Sequence, residues 1–158
     1  HELGLALASH DDATLAQVEE AAEDGISIAE FPTTLEAAAA AHDAGQAVLM
    51  GAPNVVRGKS HSGNISASDL VAAGLLDILS SDYVPFALLQ AVFILPQRLQ
   101  EVSLPQALLT VTRNPAEAAG LVDRGEIAIG KRADLVRVSG ETRVPAVRAV
   151  WKEGIRVS

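Results

Sequence analysis

Ala47-Val-Leu-Met50 followed by Gly51-Ala-Pro-Asn-Val-Val-Arg-Gly-Lys-Ser-His-Ser-Gly-Asn-Ile-Ser66 joins an apolar run of strand length to a long polar connection, and a helical pattern resumes near Ala67. A connection of this length inside a compact domain is usually functional or disordered. Its composition lacks the acidic, repetitive character of disorder. Arg57 and Lys59 bring positive charge, and Gly58 and Gly63 let backbone approach a ligand closely. Together these residues predict a seat for an anionic group such as phosphate. The plainer alternative is a solvated surface loop.

The same strand–loop–helix pattern recurs on either side. Leu3–Ser9 is a continuous apolar run that reads as a strand buried on both faces, ending in His10-Asp-Asp12. Thr14 to Asp24 reads as a helix with Leu15, Val18 and Ala22 on its apolar face, Thr14 and Gln17 as a capping box, and Gly25 as its stop. Asp11 and Asp12 read as caps. Ile26–Ala29 is the next strand, ending in Glu30-Phe-Pro-Thr-Thr34, and Thr33 with Glu36 caps an alanine-rich helix from Leu35 to Ala44. A short helix from Ser66, with Asp69 at its capping-box position, leads to a fourth strand, Leu75–Leu79. That strand ends in Ser80-Ser-Asp-Tyr-Val-Pro85, and helix resumes from Phe86 until Pro96 ends or kinks it.

Four such units predict parallel α/β packing. In a (β/α) barrel the polar residues just after each strand gather at the C-terminal edge, where active sites are built. His10, Glu30, His61 and Asp82 would then share one face. A whole barrel needs eight units and about 250 residues, so this chain of 158 residues reads as half of one. A small open doubly wound sheet is the alternative. The remainder changes character. Leu104–Val111 is helical, Asn114-Pro-Ala116 follows, and Gly125–Gly130, Ala133–Val138 and Val147–Lys152 read as short strands with glycine turns, forming a small β appendage.

Composition narrows the function classes. The net charge of −8 argues against general nucleic-acid binding and against an anionic membrane surface. With no cysteine there is neither a disulfide framework nor a thiolate ligand, so any metal must use His, Asp or Glu, a donor set suited to zinc or manganese. Aromatics make up only 3% of the chain, so the core must be aliphatic. No apolar run approaches the ~20 residues of a membrane span. The chain opens without Met and nearly inside an apolar run, the look of a cut through a longer protein.

Asn114-Pro-Ala116, then Gly125-x-Ile-x-x-Gly-x-x-Ala-Asp-Leu-Val136, then a hairpin ending in Gly154, resembles the C-terminal signature of the amidohydrolase superfamily. Within it, Ala8–Asp12, Ala29–Thr34, Gly51–Asn64 and Leu79–Tyr83 look like the PhnM-type enzymes, phosphonate-utilisation diphosphatases that hydrolyse α-D-ribose 1-methylphosphonate 5-triphosphate to the 5-phosphate and pyrophosphate. The resemblance implies the C-terminal half (strands five to eight) of a TIM-type (β/α)8 barrel over residues 1–120, and a β-strand segment of the amidohydrolase β-sandwich over 121–158. It implies a divalent metal, zinc foremost, with one or two ions in the complete enzyme. His10, Glu30 and Asp82 would be metal ligands, and Asp82 would also take a proton from the attacking water. Asn54, Arg57, Lys59, His61, Ser62 and Asn64 would hold the substrate's phosphates.

The superfamily's His-x-His on strand one and its metal-bridging residue on strand four have no counterpart in the sequence. The lone chain is therefore expected to be inactive. A half barrel exposes apolar sheet edges, which predicts a homodimer or association with the missing N-terminal half. The setting implied is cytoplasmic. Two alternatives remain: an amidohydrolase acting on a C–N bond, as in an amino sugar deacetylase or a cyclic amidase, and a non-enzymatic anion-binding α/β module. His42 reads as a solvated helix residue, and Tyr83 and Trp151 as packing residues.

Overall fold

The computed structural model describes residues 4–58, 60, 63–139 and 144–158. Strands β1 (Ala8–His10), β2 (Ile28–Glu30), β3 (Ala47–Gly51) and β4 (Ile78–Ser80) pair in parallel, in the order in which they occur along the chain. Helices α1 (Leu15–Glu23) and α2 (Leu35–Asp43) make the first two crossovers, and α3 (Ala52–Arg57) with α4 (Ala67–Ala72) makes the third. A strand order that advances without reversal is that of a barrel wall. A doubly wound sheet reverses its order at a switch point, and among the described residues this sheet shows none.

The helix starts follow local chemistry. Thr14 caps α1, its hydroxyl accepting from the Gln17 amide and the Gln17 side chain reaching back, so the expected capping box forms. Thr34, and not Thr33, caps α2 by accepting from the Ala37 amide. Thr33 is instead drawn to the Asp12 carbonyl, to which its amide donates at 2.8 Å. Ser66 caps α4 and its hydroxyl donates to the Asp69 carboxylate at 2.6 Å.

The core is aliphatic and rich in alanine. Ala37, Ala38 and Ala41 of α2 are fully buried, and these short side chains let the helix lie close on Ala29 and Val48 of the sheet. Helix α5 (Ala87–Arg98) buries Ala87, Ala91, Val92 and Leu95 and packs on α3. Pro96 does not end it at once. It stands in the last turn, and the chain leaves at Leu99 in an extended conformation.

Helices α6 (Leu104–Leu109) and α7 (Arg113–Ala118) return the chain to the outer side of β4, where the Leu79 amide donates to the Thr110 carbonyl at 2.9 Å. Asn114 Nδ2 donates to the Asp77 carbonyl, while the Asp77 carboxylate accepts from the Val48 amide, both at 2.9 Å. The Asn-Pro-Ala signature thus lies in α7 and clamps the start of β4 to β3. A three-stranded antiparallel sheet follows: β5 (Leu135–Ser139), β6 (Ala146–Lys152) and β7 (Ile155–Arg156).

Several expectations change. The first strand covers Ala8–His10, and Leu5 and Leu7 are 67% and 40% exposed, so the run is not buried on both faces. Among the described residues β1 pairs only with β2, and one of its sides lacks a neighbour. Helix α1 buries Val18 and Ala21, whereas Leu15 and Ala22 face outward. The polar connection after β3 begins with a helix, since Pro53 in the first turn and Gly58 beyond the end (φ 81°) supply start and stop. Gly125–Gly130 is not a strand: Ile127 and Ile129 are almost fully exposed, and no described strand lies beside them to complete a ladder.

Candidate active site at the C-terminal edge of the parallel sheet

Parallel register brings the strand ends into line. His10 pairs with Glu30, Glu30 with Leu49, and Gly51 with Ser80. His10 stands between two carboxylates: its Nδ1 is 3.2 Å from Asp11 Oδ2 and its Nε2 is 3.8 Å from Glu30 Oε2. The edge of its ring meets Phe31 at 5.4 Å between centroids. Asp11 is therefore a partner of His10, and Asp12 is a buried acceptor for the Ser9 hydroxyl at 2.5 Å. Neither side chain caps a helix.

At the other side of the edge, the Asp82 carboxylate lies against Gly51. A Cβ at position 51 would come within 3.0 Å of Asp82 Oδ2. Asp11 (φ 61°), Phe31 (φ 56°) and Asp82 (φ 49°) all hold left-handed backbone just past strand ends. Such conformations cost L-residues about 1–2 kcal/mol each, and the surrounding fold must impose them. They turn the chain sharply off the sheet edge and aim the side chains across it.

These residues border a cavity of about 190 Å³ lined by Asp11, Phe31, Pro32, Met50, Gly51, Pro53, Asn54, Arg57, Ser60, Asn64, Ile65, Asp82 and Tyr83. The expected phosphate-seat residues Asn54, Arg57 and Asn64 are thus brought together with Asp82. Asn54 also has a structural duty, its Oδ1 accepting from the Ala67 amide at 3.0 Å and joining α3 to the start of α4. Lys59, His61 and Ser62 lie outside the described residues.

Arg57 is exposed at the end of α3. Its guanidinium carbon sits 5.4 Å from the centroid of the Tyr83 ring. Tyr83, read from sequence as a packing residue, is 57% exposed and stands at the cavity mouth. Arg98 fixes α3 from behind, donating to the Val55 carbonyl and, at 3.1 Å, to the Val56 carbonyl. Neither Tyr83 nor Arg98 carries a local signal of these roles, because their partners lie 26 and about 42 residues away in sequence.

The three expected metal ligands do not assemble into one site. Among the described residues no group of three or more His, Asp or Glu side chains is arranged to hold a metal ion. In the strand order, β4 lies two strands from β2, roughly 10 Å at ~4.8 Å per strand, and the intervening β3 ends in Gly51, which offers no side-chain ligand. His10 with Glu30 forms a two-donor pair, and Asp82 stands apart.

A strand-end edge with a cation-bearing cavity on a parallel α/β wall is the layout in which barrel enzymes build their active sites. Residues 7–158 match the sequence profile described as the amidohydrolase family, and the chain belongs to that family. It is 55% identical over 154 residues to the α-D-ribose 1-methylphosphonate 5-triphosphate diphosphatase of Escherichia coli (strain K12), an alignment covering 97% of this chain and 41% of that enzyme. Among solved structures it superposes on an uncharacterised protein with a TM-score of 0.72 and 18% identity, covering 99% of this chain and 46% of the other. It superposes on A. niger ochratoxinase with a TM-score of 0.68 and 16% identity, covering 98% and 42%. Likeness at that identity shows the fold. The chain spans less than half the length of each of these proteins.

Proposed function

We propose that the chain is the C-terminal half-barrel, strands five to eight with part of the β-sandwich, of a metal-dependent diphosphatase of phosphonate catabolism. The complete enzyme releases pyrophosphate from α-D-ribose 1-methylphosphonate 5-triphosphate. The observation that carries this reading is the 55% identity to the E. coli diphosphatase over 97% of the chain. The cavity supports it, because Arg57 and Asn64 can hold phosphoryl oxygens there. Asp82, on the same cavity, accepts the proton of the attacking water.

As a trio, His10, Glu30 and Asp82 do not fit one metal ion in this arrangement. A divalent metal, zinc by the family's habit, would need donors from outside the described residues. The chain alone is then inactive, and it pairs with the remaining half of its enzyme or with a second copy. The setting is cytoplasmic. Among the described residues no helix is long and apolar enough to cross a membrane.

The test is pyrophosphate release from the ribosyl triphosphate, together with metal analysis, for the chain alone and for the chain mixed with a separately expressed N-terminal half. The expected result is metal retention and turnover only in the mixture. Turnover by the lone chain would overturn the half-enzyme reading. A mixture that cleaves amides and releases no pyrophosphate would move the protein to the C–N hydrolases. No metal and no turnover in either state would leave an anion-binding module.

A further inference from the structure

Tyr83 is the residue that the preceding reading leaves without a task. It follows Asp82, whose left-handed backbone (φ 49°) turns the chain at the end of β4, and the Val84 amide closes that turn on the Ser81 carbonyl at 3.0 Å. The turn puts an aromatic ring at the cavity mouth with 57% of its surface exposed, at an apparent loss of burial. Arg57, the last residue of α3, brings its guanidinium carbon to 5.4 Å from the centroid of that ring. This is within the ~6 Å over which a cation is attracted by an aromatic face. Both ends of the pair are anchored. Tyr83 is held by the turn, and α3 is held by Arg98 through the carbonyls of Val55 and Val56.

We propose that Tyr83 is a positioning residue for Arg57, and that the stacked pair sets the affinity of the cavity for the phosphoanhydride chain of the substrate. The inference rests on the function proposed above and deepens it by naming what orders the cation. A free arginine side chain carries rotamer entropy, part of which must be lost when it grips an anion. Stacking on a ring whose own backbone is fixed removes part of that freedom beforehand. Over the ring face the guanidinium still has N–H donors to offer to phosphoryl oxygens. The aromatic face is what the mechanism uses, so the phenolic hydroxyl is dispensable.

The experiment combines a ligand-free readout with a binding readout on the full chain. In NMR spectra, the side-chain protons of Arg57 are expected to show an upfield ring-current shift that persists in Tyr83→Phe and disappears in Tyr83→Ala. In calorimetry with inorganic tripolyphosphate as the probe, Tyr83→Phe is expected to bind as the unsubstituted chain does. Tyr83→Ala is expected to bind about 2- to 5-fold more weakly, the size of an exposed cation–π contact of roughly 0.5–1 kcal/mol. Arg57→Ala should lose more, and adding Tyr83→Ala to it should cost nothing further.

Absence of the ring-current shift, an additive double variant, or a Phe variant as weak as the Ala variant would overturn the positioning role. A shift of the expected kind with no tripolyphosphate binding by the unsubstituted chain would overturn the ligand assigned to the pair, whereas the proposed function stands or falls on pyrophosphate release by the reconstituted enzyme.

Discussion

The Asp82 carboxylate occupies the space that a side chain at position 51 would fill, with Oδ2 3.0 Å from where a Cβ would stand. Gly51 ends β3 with a negative φ, so its value here is room and not conformational freedom. Gly51→Ala is expected to push the carboxylate aside by a few tenths of an ångström. A carboxylate end can give more easily than backbone, so the stability cost should stay near the low end of overpacking, about 1 kcal/mol. Pyrophosphate release by the reconstituted enzyme should fall at least 10-fold, since misplacement of a reacting group is costly in rate. Thermal melting and activity measured side by side check this, and an unchanged rate would remove Asp82 from the chemistry.

Asn54 separates structure from binding. Its Oδ1 satisfies the Ala67 amide at the start of α4. Asn54→Ala leaves that donor without its partner and should destabilise the chain by about 1–2 kcal/mol. Asn54→Asp keeps the acceptor and should retain stability while adding a negative charge beside Arg57. If Asn54 faces phosphate, Asn54→Asp should weaken tripolyphosphate binding more than Asn54→Ala does. Denaturant melts and calorimetry on both variants decide it.

Arg98 predicts an asymmetry between arginine and lysine. Its fork spans two carbonyls, those of Val55 and Val56, beyond which Gly58 turns at φ 81°. A lysine ammonium cannot reproduce a planar fork. Arg98→Lys should therefore recover less than half of the roughly 1–2 kcal/mol lost in Arg98→Ala, an estimate for hydrogen bonds from a charged donor at a partly exposed site. Urea unfolding of the two variants is the measurement.

The β appendage should be acid-sensitive. Asp134 Oδ1 accepts from the Glu153 amide at 2.8 Å, and Arg132 lies 2.8 Å from its other oxygen. The Glu153 amide first, and then Arg132, hold the Asp134 carboxyl below the usual carboxylate range. Arg124 does the same for Asp123. A carboxylate with a lowered folded pKa contributes stability at pH values above its unfolded pKa of about 3.9, and loses it as pH falls through the lowered value. Trp151, the chain's single tryptophan, lies on β6 and pairs with Leu135 beside Asp134. Its fluorescence should report loosening of this sheet below about pH 4. Asp134→Asn should flatten that dependence. An unchanged acid transition in the variant would assign the transition elsewhere.

Much of the helical framework was legible because it is local. Thr14 and Gln17, Ser66 and Asp69, and Gly25 act within a turn of their own positions, and each cap or stop forms as its sequence predicts. The alternation of apolar runs with helical patterns specified a parallel α/β wall, since each unit carries its own periodicity. Asn54, Arg57 and Asn64 stood out in the sequence as polar residues after an apolar strand, and the structure places all three on one cavity, where Asn54 also accepts from the Ala67 amide.

Burial and side-chain partnership were decided only by the tertiary structure. Leu5, Leu7 and Leu15 are apolar by composition but exposed, because burial depends on which neighbour lies across from them. Helix α3 hides in what reads as a loop, and its end depends on Arg98 some forty residues away. The left-handed backbone at Asp11, Phe31 and Asp82 has no glycine to announce it. His10, Glu30 and Asp82 all sit at strand ends, as their positions predict, yet among the described residues no three donors group to hold a metal. Sequence alone determines what each segment can form through contacts within one helical turn or one strand. Distances across the sheet follow from strand order and register, which contacts among residues far apart in sequence establish together.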